Sequence, residues 1–242
     1  MSRTNVLEAN GLGFSYGNRS VFEGMNLAVQ RGEILGVLGP NGAGKTTLIK
    51  CLVGALSTQR GSIHLFGTDV TRWPLWRRSR QGLAYLTQGS ALIPDLSVRD
   101  NVRLGVRGGD SGDRADNALH ALELTHLSTA RPSTLSGGER RQVELARLFA
   151  SDNQLMILDE PYAALDPKVR QRISKILTYC QSQGRTLVVT DHDVLTTLRL
   201  VSRAIVLVGG KICCEGNPAK ILQDSFVRAH YLGDGRLTED GS

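Results

Sequence analysis

No apolar run in this 242-residue chain approaches the roughly 18 residues that a membrane-spanning helix requires, so any membrane work needs a partner. The N-terminal stretch MSRTNVLEANGLGFSYG has no apolar core of the kind a secretory signal carries. Cysteine is scarce: the four present, Cys51, Cys180, Cys213 and Cys214, include no CxxC pair. Adjacent Cys213 and Cys214 suit neither a disulfide nor zinc, which argues against a disulfide framework and a structural zinc site. Free thiols in a reducing, cytosolic compartment are expected, and the sequon NRS at Asn18 is then a chance match. Aromatics make up only 5% of the chain. Internal repeats and low-complexity linkers are absent, which leaves one large domain or one domain with a subdomain. Neither sign of charge dominates, since 29 basic residues against 23 acidic ones give +6. That excess suits an anionic ligand, a membrane surface or nucleic acid and selects none of them.

What the chain has in quantity is glycine, 27 residues, as suits a backbone that approaches a ligand closely. With 40% hydrophobic residues it is long enough to bury a sizeable core. EILGVLG (33–39) is a short apolar run ending in a glycine loop, and KTTLIKCLVGAL after it has apolar residues at helical spacing. GSIHLFG, QGLAYLTQ, QLMILDE and RTLVVTDHD read as further strands, and RAIVLVGGKICCEG as a hairpin turned at Gly209 and Gly210. From about Asp100 to Phe149 the pattern is mostly helical, with a glycine-rich loop, RGGDSGD, at Arg107 to Asp113. Strands alternating with helices predict an α/β fold whose parallel sheet is covered on both faces. The block from about 89 to 150 reads as an inserted helical subdomain.

The stretch GPNGAGKTT comprises Gly39, Pro40, Asn41, Gly42, Ala43, Gly44, Lys45, Thr46 and Thr47. It satisfies G-x-x-x-x-G-K-[ST] in the required context, after a strand and opening a helix. Its glycines let backbone N–H groups curl around phosphate oxygens, and the helix N-terminus adds favourable partial charge. Lys45 can reach the β- and γ-phosphates of a nucleotide, Thr46 can meet Mg²⁺, and Thr47 a phosphate oxygen. LMILDE supplies the other half of such a site. A buried strand delivers Asp159 to the sheet rim, where it can hold the magnesium shell, while Glu160 can orient or deprotonate a water.

A second glycine pair poses a question. LSGGERRQVELARLFA sets Ser136, Gly137 and Gly138 ahead of an amphipathic helix, on the helical block. A nucleotide needs one phosphate cradle. If the helical block stands away from the first loop, this second anion site serves a nucleotide on another copy of the chain. A head-to-tail dimer would then bury two ATP molecules, each between one copy's Lys45 and the other copy's Ser136. The plainer alternative is a serine-glycine helix cap without a ligand.

With these motifs in order, the chain resembles the nucleotide-binding subunit of an ABC transporter over nearly its whole length. The resemblance implies an α/β P-loop NTPase fold of the ABC ATPase type. That fold has a mostly parallel sheet core, an N-terminal antiparallel β part and an inserted helical subdomain. The core would span about 1–88 and 151–242, and the helical subdomain about 89–150. The resemblance also assigns residues. Tyr16, in FSYG, matches the aromatic that stacks on adenine. Gln88, in LTQG, matches the glutamine that senses Mg²⁺ and the attacking water. Asp166, in AALD, matches the loop that crosses the dimer, and His192, in TDHD, the histidine that contacts the γ-phosphate.

The expected function is ATP hydrolysis that drives a transporter. It would be carried out by a cytoplasmic homodimer on the inner face of the membrane, joined to two transmembrane subunits through the region Gln88 to Asp100. The C-terminal ILQDSFVRAHYLGD resembles a tail of the lipopolysaccharide-export ATPase and of the branched-chain amino acid importer ATPases. LSGGERRQVELAR looks closer to the export subunit. Lipopolysaccharide or lipid export is therefore the first expectation, and branched-chain amino acid or amide uptake the second. Two departures stand out. ALIPDLS (Ala91 to Ser97) replaces the aromatic-basic pair usual in the export family, and Ala163-Ala164 stands where glycine or serine is more usual. A soluble ABC ATPase acting on ribosomes or DNA usually has two cassettes or a long coiled-coil insertion, which this chain lacks, and no nucleic acid partner is expected. Intact Lys45, Asp159 and Glu160 argue against a non-hydrolysing regulatory cassette. RWPLWRRSR (Arg72 to Arg80) could be a membrane or nucleic-acid patch. It reads better as a solvated helix whose tryptophans pack on the sheet.

Overall fold

The computed structural model describes residues 4–106, 111–191 and 193–229. In chain order the elements are β1 (Asn5–Tyr16), β2 (Arg19–Gln30), β3 (Ile34–Leu38), α1 (Lys45–Val53), β4 (Arg60–Leu65), β5 (Thr68–Asp69), α2 (Leu75–Arg80), β6 (Leu83–Leu86), α3 (Val98–Arg103), α4 (Ser111–Ala121), α5 (Gly137–Ala150), β7 (Leu155–Asp159), α6 (Pro167–Ser182), β8 (Thr186–Thr190), α7 (Val194–Leu200), β9 (Arg203–Val208), β10 (Lys211–Gly216), α8 (Pro218–Gln223) and α9 (Ser225–Val227). Among the described residues no helix is long and apolar enough to cross a membrane.

The strands form two sheets. One has four strands in the order β2-β1-β4-β5, all antiparallel. The other has six in the order β10-β9-β3-β8-β7-β6, parallel throughout except for the β9–β10 pair. That pair turns at Gly209 and Gly210, both at positive φ (52° and 76°), as a two-residue hairpin turn matched to strand twist demands.

The sequence of β3 shows why the larger sheet reads as apolar runs rather than alternation. Leu35 and Val37 pack toward the antiparallel sheet and α1, in a core with Leu7, Leu27, Leu48 and Leu52. Ile34 and Leu38 pack on the opposite face with helical residues such as Val143, Ile173 and Leu198. Both faces of the sheet are therefore covered, and every residue of β3, β7 and β8 is buried.

Among the described residues, the chain between β6 and β7 is helical. Its helices pack on one another through Val98, Val102, Ala115, Leu119 and Val143 and share the helix-side core of the sheet. The loop expected at Arg107 to Asp113 does not extend over its last three residues. Residues 107–110 lie outside the described residues, but Ser111 to Asp113 open α4 instead, with Asp113 in the first turn where the helix dipole favours an acid. Just upstream, the buried side chain of Asn101 bonds Ile93 N (2.8 Å), Ile93 O (3.0 Å), Leu96 O (3.2 Å) and Ser97 O (3.0 Å), pinning the ALIPDLS segment to α3.

The Arg72–Arg80 segment departs from its expected reading in two places. Trp73 packs at the edge of the core with the Arg77 guanidinium 3.9 Å over its ring, but Trp76 is 61% exposed. The rings part because Trp73 precedes Pro74, where α2 begins. Arg78 is not solvated either. It is 1% exposed and donates to Cys51 O (2.9 Å), Leu52 O (2.6 Å), Trp73 O (2.9 Å) and Thr71 O (3.2 Å). A buried cation thus caps the carbonyl end of α1, where the macrodipole favours it. Burial pulls its pKa down to about 10, which leaves it charged at neutral pH. All four cysteines are free thiols, as expected.

Candidate nucleotide site

β3 runs into the glycine loop, and the loop runs into α1. Gly39 (φ 154°), Gly42 (78°) and Gly44 (101°) all adopt positive φ. At Gly39 any side chain is barred, because a Cβ would stand 2.3 Å from Leu207 O of β9. At Gly42 the equivalent space is open. Pro40, Asn41 and Gly42 face solvent while Ala43 is buried, so the loop presents a rim above a fixed base. Gly44 accepts from Leu48 N (2.8 Å) to start α1, whose first residues are Lys45, Thr46 and Thr47.

The Lys45 side chain folds back over this rim and donates to Gly39 O (2.6 Å) and Pro40 O (3.1 Å). Burial lowers the pKa of its ammonium, opposed by the negative charges of Glu160, Asp159 and Asp191. The loop therefore holds a desolvated cation with weak neutral partners, which an anionic ligand can displace.

Asp159 closes β7 and is 1% exposed. Its Oδ1 accepts from Thr190 Oγ1 at 2.6 Å, whereas Oδ2 is buried and has no hydrogen-bond partner among the described residues. A buried, unsatisfied carboxylate oxygen is costly unless it meets a donor or a cation. Thr46 and Gln88 are brought together, with 3.4 Å between Gln88 Nε2 and Thr46 Oγ1. Asp159, Thr46 and Gln88 are hard oxygen donors of the type Mg²⁺ takes. No group of three or more His, Cys, Asp or Glu that could hold a metal occurs among the described residues. Mg²⁺ bound through one or two carboxylates and a ligand's phosphates needs no such group, so the donor set fits.

Glu160 follows Asp159 in the left-handed region (φ 52°), a strained conformation for a residue with a side chain. Its N–H donates to Thr190 O at 2.9 Å. Its side of the rim opens on a cleft of about 220 Å³ that Gln88, Glu160, Gly137, Ala163 and Ala164 help to line. At the end of β1, Tyr16 stands 53% exposed, edge-on to Phe14 at 4.9 Å. His192 lies outside the described residues.

The second glycine pair opens α5. Ser136 is its N-cap in a reciprocal capping box: Ser136 Oγ accepts from Glu139 N (3.2 Å), and Glu139 Oε2 accepts from Ser136 N (2.7 Å). These bonds lower the Glu139 pKa. The plain cap is thus present, but it does not account for the glycines. Nothing lies within 4 Å of where a Cβ of Gly137 would stand, so the fold leaves that space free above the helix N-terminus. A Cβ on Gly138 would stand 3.3 Å from Ala164 O, so this loop packs on the AALD loop of its own chain. Asp166 in that loop caps α6, accepting from Lys168 N (2.9 Å) and Val169 N (3.0 Å).

Sequence reasoning missed Arg141. It is buried on α5 and bonds the carbonyls of Thr87, Asp159 and Glu160. The available signal was its position four and seven residues before Leu145 and Leu148, on the buried stripe of the helix.

A family model described as ABC transporter matches residues 22–163, more than half of the chain. An uncharacterized ABC transporter ATP-binding protein of Rhizobium meliloti is 41% identical over 95% of this chain and 87% of its own length. The chain is an ATPase of the ABC transporter family. The lipopolysaccharide export system ATP-binding protein LptB of Escherichia coli is similar at 38% identity, over 95% of this chain and 98% of its own. The fold is also that of the ABC transporter cassette MJ0796, solved as a dimer, with a TM-score of 0.80 at 25% identity over 88% of this chain and 98% of that one. In this ABC cassette the glycine loop and Asp159 lie at the carboxyl ends of parallel strands, the place where open α/β sheets bind ligands.

Proposed function

We propose that this chain hydrolyses Mg²⁺-ATP as a head-to-tail homodimer on the inner, cytoplasmic face of the cell membrane, joined to two transmembrane subunits, to drive export of lipopolysaccharide or a related lipid. Residues 89–150 form the helical subdomain in this reading and the rest of the chain the catalytic core. The observation that carries it is the buried Oδ2 of Asp159, which has no hydrogen-bond partner among the described residues, together with the contact between Thr46 and Gln88 and the displaceable Lys45 ammonium, whose charge Asp159 senses. These groups suit a nucleotide triphosphate with its metal.

The proposed roles combine the motifs with the geometry of the described residues, and that of His192 rests on the motif alone. Tyr16 offers its exposed face to adenine. The N–H groups of Gly39 to Thr47 and the Lys45 ammonium hold the β- and γ-phosphates, and Thr46, Gln88 and Asp159 would hold Mg²⁺. Mg²⁺, when bound, neutralises phosphate oxygens as charge builds on them. Glu160 orients a water and takes its proton, with Gln88 and His192 at the γ-phosphate. The open space at Gly137, above the N-terminus of α5, suits the γ-phosphate of a nucleotide on the other copy, and Asp166 belongs to the loop that would cross the dimer. ATP closes the dimer, hydrolysis reopens it, and the segment Gln88 to Asp100 passes the motion to the membrane subunits.

The similarity to LptB supports lipid export. Ile93-Pro94, where the export family usually has an aromatic-basic pair, weighs against that choice and implies a divergent partner, and the C-terminal ILQDSFVRAHYLGD, which also resembles importer ATPases, carries the second reading, uptake of branched-chain amino acids or amides. The test has two parts. Glu160→Gln keeps the shape of the side chain but accepts no proton, so it should bind ATP, turn over very slowly and elute as a dimer with ATP and Mg²⁺ in size-exclusion chromatography. Reconstituted with its permeases, the wild type should be stimulated by lipopolysaccharide. Stimulation by an amino-acid-loaded binding protein would establish the importer instead.

A further inference from the structure

The buried ion pair of α5 stands between two clefts. Glu144 lines both the 220 Å³ cleft beside Glu160 and a second groove of about 190 Å³, lined also by Tyr85, Ala91, Leu104 and Arg147. Arg141 and Glu144, 8% and 5% exposed, meet at 3.2 Å. From there the bonds go in two directions. Toward the nucleotide, Arg141 Nη2 donates to Asp159 O (2.7 Å) and Glu160 O (2.9 Å), and Nη1 to Thr87 O (2.6 Å), next to Gln88. Toward the groove, Glu144 Oε1 accepts from Ala91 N (2.9 Å), and Arg147 donates to Ala91 O (2.8 Å).

The backbone of Glu160 requires such a hold. It sits at φ 52° immediately before Pro161, although a residue before proline relaxes toward extended backbone. A strained residue persists only where its surroundings over-determine it. The N–H of Glu160 is held by Thr190, and its carbonyl accepts from Arg141 (2.9 Å) and from Ala163 N (3.2 Å). Without Arg141 the carbonyl keeps only the longer bond from Ala163 N, so the shorter, charged half of the hold on this strained residue is lost.

We propose that Arg141 is a positioning residue for hydrolysis: paired with Glu144, it sets the backbone of Glu160 and Gln88 and ties both to the groove at Ala91. The proposal rests on the ATPase reading above. Arg141 does not touch nucleotide in this role, so its loss acts on turnover and spares binding.

The test uses the full-length chain, with kcat and KM for ATP, equilibrium binding of a non-hydrolysable ATP analogue, and thermal melting. Arg141→Ala alone would strand a buried Glu144, so the main variant is Arg141→Met with Glu144→Gln, which removes both charges at similar volume. Its kcat should fall about 10- to 100-fold while KM and analogue binding stay within about twofold. Arg141→Lys, which keeps the charge and can reach at least one carbonyl, should recover part of the loss. It also reports alone, through reduced kcat at intact binding, should the double variant fail to fold. A folded double variant with kcat within about fivefold of wild type overturns the proposal, and so does a loss of analogue binding in proportion to kcat. A wild-type chain that neither binds nor hydrolyses ATP would instead overturn the ATPase reading, and the proposal with it.

Discussion

Lys45 Nζ lies 2.6 Å from the carbonyl oxygen of Gly39, so this cation rests on the glycine loop that leads into its own helix. Lys45→Ala should abolish ATP hydrolysis and weaken ATP binding, checked by phosphate release and by calorimetry. Near-normal turnover would remove the phosphate-loop assignment. The lowered pKa has a second consequence. Between the folded value and the ordinary 10.5, the unfolded chain binds more protons than the folded one, so stability from this group rises with pH across that interval. Urea unfolding of Lys45→Met beside wild type, from neutral pH to about pH 10.5, isolates the contribution as a difference: wild type should gain stability relative to the variant as pH rises, over the loss both share from buried thiols such as Cys51, whose pKa burial raises.

The open space at Gly137 leads to a mixing experiment. Ser136→Arg fills the approach to the α5 N-terminus and should block the closed dimer, leaving one-sided binding at Lys45 intact. Mixed with Lys45→Ala, it should recover ATPase activity, because one interface then joins the intact Lys45 of one chain to the intact Ser136 of the other. If Ser136 served its own chain's nucleotide, every site would carry a defect. Strict coupling of the two sites would also silence the mixture. Cysteines placed at Ser136 and beside Lys45 separate the cases, since crosslinks confined within one chain would exclude a shared site.

Ala164 sits at φ 58°, where an L side chain is strained by about 1 kcal/mol relative to glycine. Ala164→Gly should therefore raise the melting temperature by about 2–4 °C, read by calorimetry. An unchanged or lower melting temperature would show that the loop gains more from the methyl group than it loses to strain.

Arg78→Met should destabilise the fold by about 2–4 kcal/mol, because it strips charged donors from the buried carbonyls of Cys51 and Leu52. Denaturant unfolding measures the loss. A change below about 0.5 kcal/mol would mean that water replaces the guanidinium at the end of α1.

The parts legible in the sequence are those set by local rules. A strand, a glycine loop and a helix at Glu33 to Leu56 follow from apolar spacing and from φ values that only glycine takes freely. The Gly209-Gly210 hairpin is legible for the same reason. Arg78 and Arg141 were not, because each looks like a surface charge until distant carbonyls converge on it. Arg78 meets residues of α1 and of the turn before α2, and Arg141 meets Thr87, just after β6, and Asp159 at the end of β7. Periodicity marks which side chains are buried but not which backbone groups they satisfy. The strain at Glu160 and Ala164 was equally hidden, since neither residue type announces positive φ.

The hold of Asn101 on the ALIPDLS segment separates two properties that usually change together. One amide side chain carries the bonds to Ile93, Leu96 and Ser97, while the Ile93 side chain is 43% exposed and contributes none of them. Shape and chemistry at this rim are thereby inherited independently. A lineage can rewrite the exposed positions 91 and 93–95 to suit a different neighbour while the same backbone trace persists, so long as Leu92 stays in the core, position 101 keeps its carboxamide, and Glu144 and Arg147 keep their hold on the backbone at 91.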